Sequence, residues 1–345
     1  MELSIDILSS YPPVQEAEVD KVLAEEIRDN EKKIVVLDDD PTGVQTVHDI
    51  SVYTNWEKAS IEQGFAEENK LFYILTNSRG FTAAQTEKAH KEIAEVVDQV
   101  AKETGKEYLF ISRSDSTLRG HYPLETTILK DEYEKNTGKK IDGEVLCPFF
   151  KEGGRFTIDD VHYVQYDDTL VPAAETEFAK DKTFGYTVSN LKEYVEEKTQ
   201  GAYKKENVTA ISLENIRELN YDKIEEQLLA VEDFNKVIVN AIDYVDVKIF
   251  CVALFRAMKK GKNFMFRTAA AIVKVMGGVS NQPLLTREQM VVKETDNGGI
   301  IVVGSHTDKT TRQMEKLREN KDIAFVELNA TLVNDEAAFA EEVER

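Results

Sequence analysis

Short apolar runs that end in polar residues recur along the 345-residue chain. KKIVVLD (32–38), LFYILTN (71–77), EYLFISR (107–113), VTAISLE (208–214), KVIVNAI (236–242), NFMFRT (263–268) and GIIVVGS (299–305) are rich in β-branched and aromatic residues. Each reads as a buried strand. Longer segments between them carry a helical period. In 84–103, Ile93, Val96, Val97 and Val100 recur at helical spacing and form one apolar stripe. The segment 122–135 has Pro123 near its start, with Leu124 and Ile128 one turn apart, and 215–231, 244–260 and 308–320 show similar periods. This alternation predicts an α/β fold on a mainly parallel sheet. Ligands of such sheets sit beyond the carboxyl ends of the strands, so the polar residues after each strand are read first for chemistry.

The first run passes straight into Asp38, Asp39, Asp40, Pro41, Thr42 and Gly43. Adjacent carboxylates repel unless a cation, donors or helix amides compensate. They read as a general base or Mg²⁺-proximal site that Gly43 lets a ligand approach, or as a solvated acidic turn. The run at 107–113 leads into SRSDSTLRGHYPLE (112–125), where Arg113, Ser114, Asp115, Ser116, Thr117, Arg119 and His121 crowd ahead of the helix that Pro123 opens. Guanidinium forks, hydroxyls and helix amides together suit a carboxylate, and an Arg–Asp structural pair with an N-cap is the plainer alternative. Ser78–Arg79 and Gly153–Gly154–Arg155 end two further apolar segments. The four strand ends read as the rim of one polar site for an anion. Further on, GSHTDKTTRQ leads a strand end at Gly304–Ser305 into a helix that Thr307 or Asp308 can cap, which suits a phosphate. Gly304, Lys309 and Thr310 echo a Walker loop, but the glycine before the lysine is missing and that assignment is rejected.

Composition narrows the partners. With 64 acidic and 43 basic residues the formal net charge is −21, which argues against a sequence-independent grip on nucleic acid and against an anionic membrane surface. The apolar runs are far below the ~20 residues of a bilayer span. The acidic, mixed N-terminus has no secretory pattern, so a cytoplasmic location is expected. Cys147 and Cys251 give no disulfide framework and are expected as small buried hydrophobes. His48, His90, His121, His162 and His306 are scattered singly, so no zinc site is expected, and His90 is placed on the exposed side of its helix. A domain boundary is placed around 277–298, where GGVSNQP and a charged stretch separate two strand–helix patterns.

Two of these loops resemble signatures of the four-carbon acid sugar kinase family (DUF1537 type). Asp39-Asp40-Pro41-Thr42-Gly43 is similar to its D-D-x-T-G loop. Arg113-Ser114-Asp115-Ser116-Thr117-Leu118-Arg119-Gly120 is similar to its K-x-D-S-T-L-R-G loop, with Arg113 in place of the usual lysine. Ser78–Arg79, Gly154–Arg155, VNA at 239–241, RTAA at 267–270 and the GSHTDKTTRQ segment also fit, so the likeness runs from about residue 32 over nearly the whole chain. It implies an N-terminal extension (1–31), an α/β acid-sugar-binding domain (32–285) and the start of an α/β nucleotide-binding domain (296–345). The last is expected to be incomplete, because the family's G-G-E-T-S segment is missing. The implied activity is ATP-dependent phosphorylation of a hydroxyl of a tetronate or 3-oxo-tetronate. Asp39 or Asp40 would orient or deprotonate that hydroxyl. Thr42, Gly43, Ser78, Arg79, Asp115, Ser116, Thr117, Arg119, Gly154 and Arg155 would bind the substrate, with Arg79, Arg119 and the Ser116 and Thr117 hydroxyls on its carboxylate and hydroxyls. Gly304, Ser305 and Thr307 would meet ATP, with Mg²⁺ as the accompanying ion and no dedicated metal ligands. A homodimer is compatible with this reading. The alternatives are a non-catalytic acid-sugar-binding protein without a competent nucleotide site, and an isomerase or lyase using the Asp cluster with a metal.

Overall fold

A computed structural model describes the chain apart from residues 292, 294, 295 and 306, so His306 lies outside the described residues. Two compact units result, Met1–Gln282 and Pro283–Arg345.

In the first unit the strands are β1 (Leu3–Ser4), β2 (Lys33–Asp38), β3 (Val52–Tyr53), β4 (Leu71–Leu75), β5 (Tyr108–Arg113), β6 (Gly143–Cys147), β7 (Arg155–Ile158), β8 (Val161–Tyr166), β9 (Thr169–Pro172), β10 (Thr209–Ile211), β11 (Asn235–Val239) and β12 (Phe264–Thr268). Eight of them form one sheet in the order β10-β11-β6-β12-β5-β2-β4-β3, and every pairing in it is parallel. The expected α/β fold on a mainly parallel sheet is the one observed. All residues of β2, β5, β6 and β12 are buried, because helices cover both faces, and this is why their sequences run apolar without alternation.

The helices of this unit are α1 (Glu16–Asp29), α2 (Lys58–Ala66), α3 (Ala83–Thr104), α4 (Leu124–Thr137), α5 (Leu191–Lys198), α6 (Leu213–Arg217), α7 (Tyr221–Leu229), α8 (Tyr244–Lys259) and α9 (Ala270–Met276). On one face Ile34, Val36, Ile111 and Val145 pack with Val19 and Leu23 of α1 and with the apolar body of α8. On the other, Val35, Leu37, Phe72 and Phe110 pack with Ile93 and Val97 of α3 and Leu129 of α4. Helix α3 is closed at its start by a Thr82–Gln85 capping box and at its end by Gly105. A small antiparallel sheet, β1-β9-β8-β7, is built on the insertion after β6.

Three local expectations change. Residues 1–31 do not hang off the domain as an extension. Leu3 and Ser4 pair with β9, Val19 and Leu23 are buried, and Arg217 donates to the Pro12 carbonyl at 3.1 Å. His90 is buried rather than exposed, because the stripe of α3 runs back from Ile93 through His90 to Thr86. The run at 208–214 yields only the three residues of β10, and Leu213 already begins α6.

The second unit contains α10 (Arg287–Met290), α11 (Asp308–Leu317) and α12 (Glu336–Glu344). Residues 299–305, expected as a strand, have no strand partner among the described residues, and Ile300 and Val302 are 89% and 85% exposed. An apolar run forms a strand only where a neighbour supplies the ladder. Among the described residues no helix is long and apolar enough to cross a membrane.

Candidate functional site

Five strands end at one level. Asp38 is in register with Leu75 of β4 and Arg113 of β5, Arg113 with Thr268 of β12, and Thr268 with Cys147 of β6. The backbone keeps the next residues tied together, with Ser114 N–H donating to the Thr268 carbonyl at 2.8 Å and Arg79 N–H to the Asp39 carbonyl at 3.2 Å. Polar residues from distant parts of the chain therefore converge on one edge.

Asp39 is the hub. Arg79 forks onto it, Nη2 to Oδ1 at 2.7 Å and Nε to Oδ2 at 3.2 Å, and Ser114 donates its hydroxyl to Oδ2 at 2.7 Å. Arg79 Nη1 reaches Asp40 Oδ2 at 2.8 Å. Arg113 Nη1 lies 3.1 Å from Asp38 and 3.4 Å from Asp39. These guanidiniums compensate the repulsion anticipated for the acidic triplet. Burial pushes the Asp38 carboxyl up to about 7 against the pull of Arg113, with Asp39 adding to the rise. Asp40 goes the other way: desolvation raises it, but the Thr42 hydroxyl and Arg79 prevail and hold it below the usual carboxylate range. Gly43 is required here, since a Cβ on it would stand 1.9 Å from Asp38 Oδ2.

Asp115 centres a second cluster. Arg119 Nε donates to its Oδ2 at 2.6 Å and the Thr117 hydroxyl donates to the same oxygen. Desolvation opposes ionisation, but Arg79 and Arg119 outweigh it and hold this carboxyl well below its ordinary value. Arg155 and Arg267 are different. No carboxylate lies within ion-pair distance of either among the described residues, and each has a buried Nε without a hydrogen-bond partner. Among the described residues Arg267 donates only to the Arg119 carbonyl, at 2.7 Å. Burial lowers the pKa of Arg155, the mark of a guanidinium stripped of water without full compensation.

The loop between these clusters is held by side chains from the insertion. His162 Nε2 donates to the Ser116 carbonyl at 2.7 Å, Tyr186 to the Thr117 carbonyl at 2.7 Å, and Tyr194 to the Leu118 carbonyl at 2.8 Å. His162 Nδ1 accepts from Thr157 at 2.9 Å, and burial lowers its pKa to about 4, so the ring is neutral and the tautomer fixed. The clamp sustains a left-handed Leu118 (φ 71°) and Gly120 (φ 123°), where a Cβ would meet Ser114 Oγ at 2.6 Å.

Most residues expected from sequence meet here: Asp39, Asp40, Thr42, Gly43, Arg79, Asp115, Ser116, Thr117 and Arg119, with Arg155 from the start of β7. Gly154, just before β7, faces Gln165. Two differ from expectation. Ser78 is fully buried with its hydroxyl on Glu125 Oε1 at 3.0 Å, and Arg79 is committed to Asp39 and Asp40. Gly304, Ser305 and Thr307 lie in the second unit. There Thr307 caps α11, and its hydroxyl, Ser305 and Thr310 bond to one another. Both cysteines are buried and free, with Cys147 pushed up to about 12 by burial, as expected of small hydrophobes. Sequence reasoning gave no site role to Arg267, His162, Tyr186 and Tyr194. Arg267 was signalled by the RTAA likeness and by its place as a charged residue in the apolar run NFMFRT.

Fold and site together define an α/β domain with a guanidinium-rich site on the carboxyl edge of a parallel sheet. Residues 34–276 match the family described as the sugar-binding N-terminal domain, and the chain belongs to that family. No curated protein matches it. Among solved structures it is similar to a Haemophilus influenzae protein of the DUF1537 family, with 17% identity, a TM-score of 0.49, 83% of this chain covered and 65% of that one. It is also similar to a protein described as a putative tRNA synthase from Salmonella typhimurium LT2, with 15% identity and a TM-score of 0.49, 72% of this chain and 55% of that one covered. The chain thus spans less than two thirds of the length of either.

Proposed function

We propose that the first unit binds a four-carbon acid sugar, a tetronate or 3-oxo-tetronate, and that the protein phosphorylates one of its hydroxyls at the expense of ATP. The observation carrying this reading is Arg155, with Arg267 behind it: desolvated guanidiniums without a carboxylate of their own, inside a sugar-binding family. A ligand carboxylate on Arg155 would supply the missing partner. Arg79 is relieved of the carboxylate-binding role by its commitment to Asp39 and Asp40. Asp40, kept ionised by Thr42 and Arg79, orients the attacking hydroxyl, and a loose phosphoryl-transfer transition state asks little proton abstraction of it. ATP with Mg²⁺ supplies the phosphoryl group and offsets its charge. Gly304, Ser305 and Thr307 at the start of α11 would hold its phosphates, since helix N-terminal amides and hydroxyls fit an anion. In this reading Mg²⁺ would accompany the nucleotide; among the described residues no cluster of His, Cys, Asp or Glu is arranged to hold a metal ion.

The test is calorimetric titration with D-threonate, L-threonate and D-erythronate, with threitol as the uncharged control. Arg155→Ala is expected to weaken binding of the acid by at least about tenfold, the order of one lost charge-assisted hydrogen bond. Unchanged affinity would sink the reading. A second reading, an acid-sugar-binding protein without phosphoryl transfer, needs only the first unit, which contains every residue proposed to bind the acid. ADP release with threonate, ATP and Mg²⁺ separates the two readings.

A further inference from the structure

The ring of Phe178 carries two guanidiniums. Arg119 Cζ stands 5.0 Å from its centroid and Arg155 Cζ 5.5 Å. The two guanidiniums carry like charge, and Arg119 contributes to lowering the pKa of Arg155. Asp115, hydrogen-bonded to Arg119 Nε, attracts Arg155 more strongly than Arg119 repels it, and the two guanidiniums also share one ring. The quadrupole of an aromatic face attracts cations, so one ring can hold both arginines where an aliphatic side chain would let them part.

The ring is itself fixed. Phe178 sits in the short turn Glu177–Lys180. Thr176 anchors the start of that turn by donating to the Ala173 carbonyl at 2.7 Å, and Tyr186 N–H holds the Ala179 carbonyl at 3.2 Å. Ala179 in the same turn is buried. The turn lies far along the chain from both arginines, so its aromatic residue is placed there by tertiary structure alone.

We infer that Phe178 is a positioning residue that holds Arg119 and Arg155 side by side as a receptor for the ligand's carboxylate, and so makes the site select a sugar acid over the corresponding alcohol. The inference rests on the acid-sugar reading above. Arg155 offers the unpaired charge, Arg119 offers the donors that Asp115 does not use, and Phe178 sets their spacing.

The experiment compares Phe178→Leu, Phe178→Tyr and Arg155→Ala in the full chain, titrated with D-threonate, L-threonate, D-erythronate and threitol. Phe178→Leu keeps the apolar bulk and removes the aromatic face. It is expected to weaken binding of the acid about five- to thirtyfold, the scale of two cation–π contacts, and to lower the acid-to-alcohol ratio. Phe178→Tyr is expected to restore both. The upfield ring-current shift of the Arg119 and Arg155 Nε–H signals should vanish in Phe178→Leu and return in Phe178→Tyr. A purely packing role would lower the thermal midpoint without changing the acid-to-alcohol ratio, and that result overturns the inference. If Arg155→Ala weakens acid binding while Phe178→Leu does not, the inference falls and the acid-sugar reading stands. If Arg155→Ala changes nothing, the reading falls and the inference with it.

Discussion

At the scale of single residues, Asp38 links the site to pH. Its carboxyl sits at about 7 in the folded protein against an ordinary 3.8, so the native state holds its proton where the unfolded chain has lost it. Stability from this group therefore falls as pH rises from about 4 to 7 and levels off above, by on the order of 2–4 kcal/mol. Asp38→Asn keeps the shape and removes the charge, while Arg113 retains Asp39. Its thermal midpoint by calorimetry should approach the parent's below about pH 4 and exceed it by roughly 4–10 °C at pH 8. Equal pH slopes in the two proteins would contradict this. His162 acts with the opposite sign: lowered to about 4, it adds stability that is lost as pH falls from 6.5 toward 4. Residues of this scale were unevenly legible. Asp39, Asp115 and Arg155 declare themselves as polar residues directly after apolar runs. Phe178, Tyr186 and Tyr194 look like ordinary core aromatics, because what distinguishes them is the partner that the fold brings. His90 was readable but misread, since the stripe of Ile93 and Val97 continues backward onto it.

At the scale of elements, the loop after β5 depends on the insertion that carries β7, β8, β9 and α5. Three consecutive carbonyls, those of Ser116, Thr117 and Leu118, are each capped by a side chain from that insertion. Tyr194→Phe removes the donor on the Leu118 carbonyl and leaves a buried acceptor unpaired, which costs about 1–3 kcal/mol. Denaturant titration should show that loss. Amide exchange of Leu118 and Arg119 should accelerate more than that of β2. Uniform acceleration would mean that the clamp is not local. The strands were legible because burial on both faces makes them continuous apolar runs, and the helices because burial on one face gives them a stripe. The small antiparallel sheet was not, because strands such as Thr169–Pro172 are too short and mixed to show a period.

At the scale of the whole molecule, every residue assigned here to acid binding lies within Met1–Gln282. A protein ending at Gln282 is expected to keep its thermal midpoint within about 3 °C and its threonate affinity within about twofold. Calorimetry of the shortened protein checks both, and a broad, low-enthalpy transition would refute the expectation. The common level of the five strand ends also bears on how the site comes into being. Its contributors are scattered from Asp38 to Arg267 along the chain, and the strand bearing Arg267 is inserted between β5 and β6, both of which precede it in sequence. During synthesis β5 and β6 therefore both emerge before the strand that separates them, and the edge carrying Asp39 and Arg113 is completed only when β12 arrives. On the reading proposed above, a sugar acid would act on the finished sheet, as a brake on its unfolding rather than as a guide to its folding.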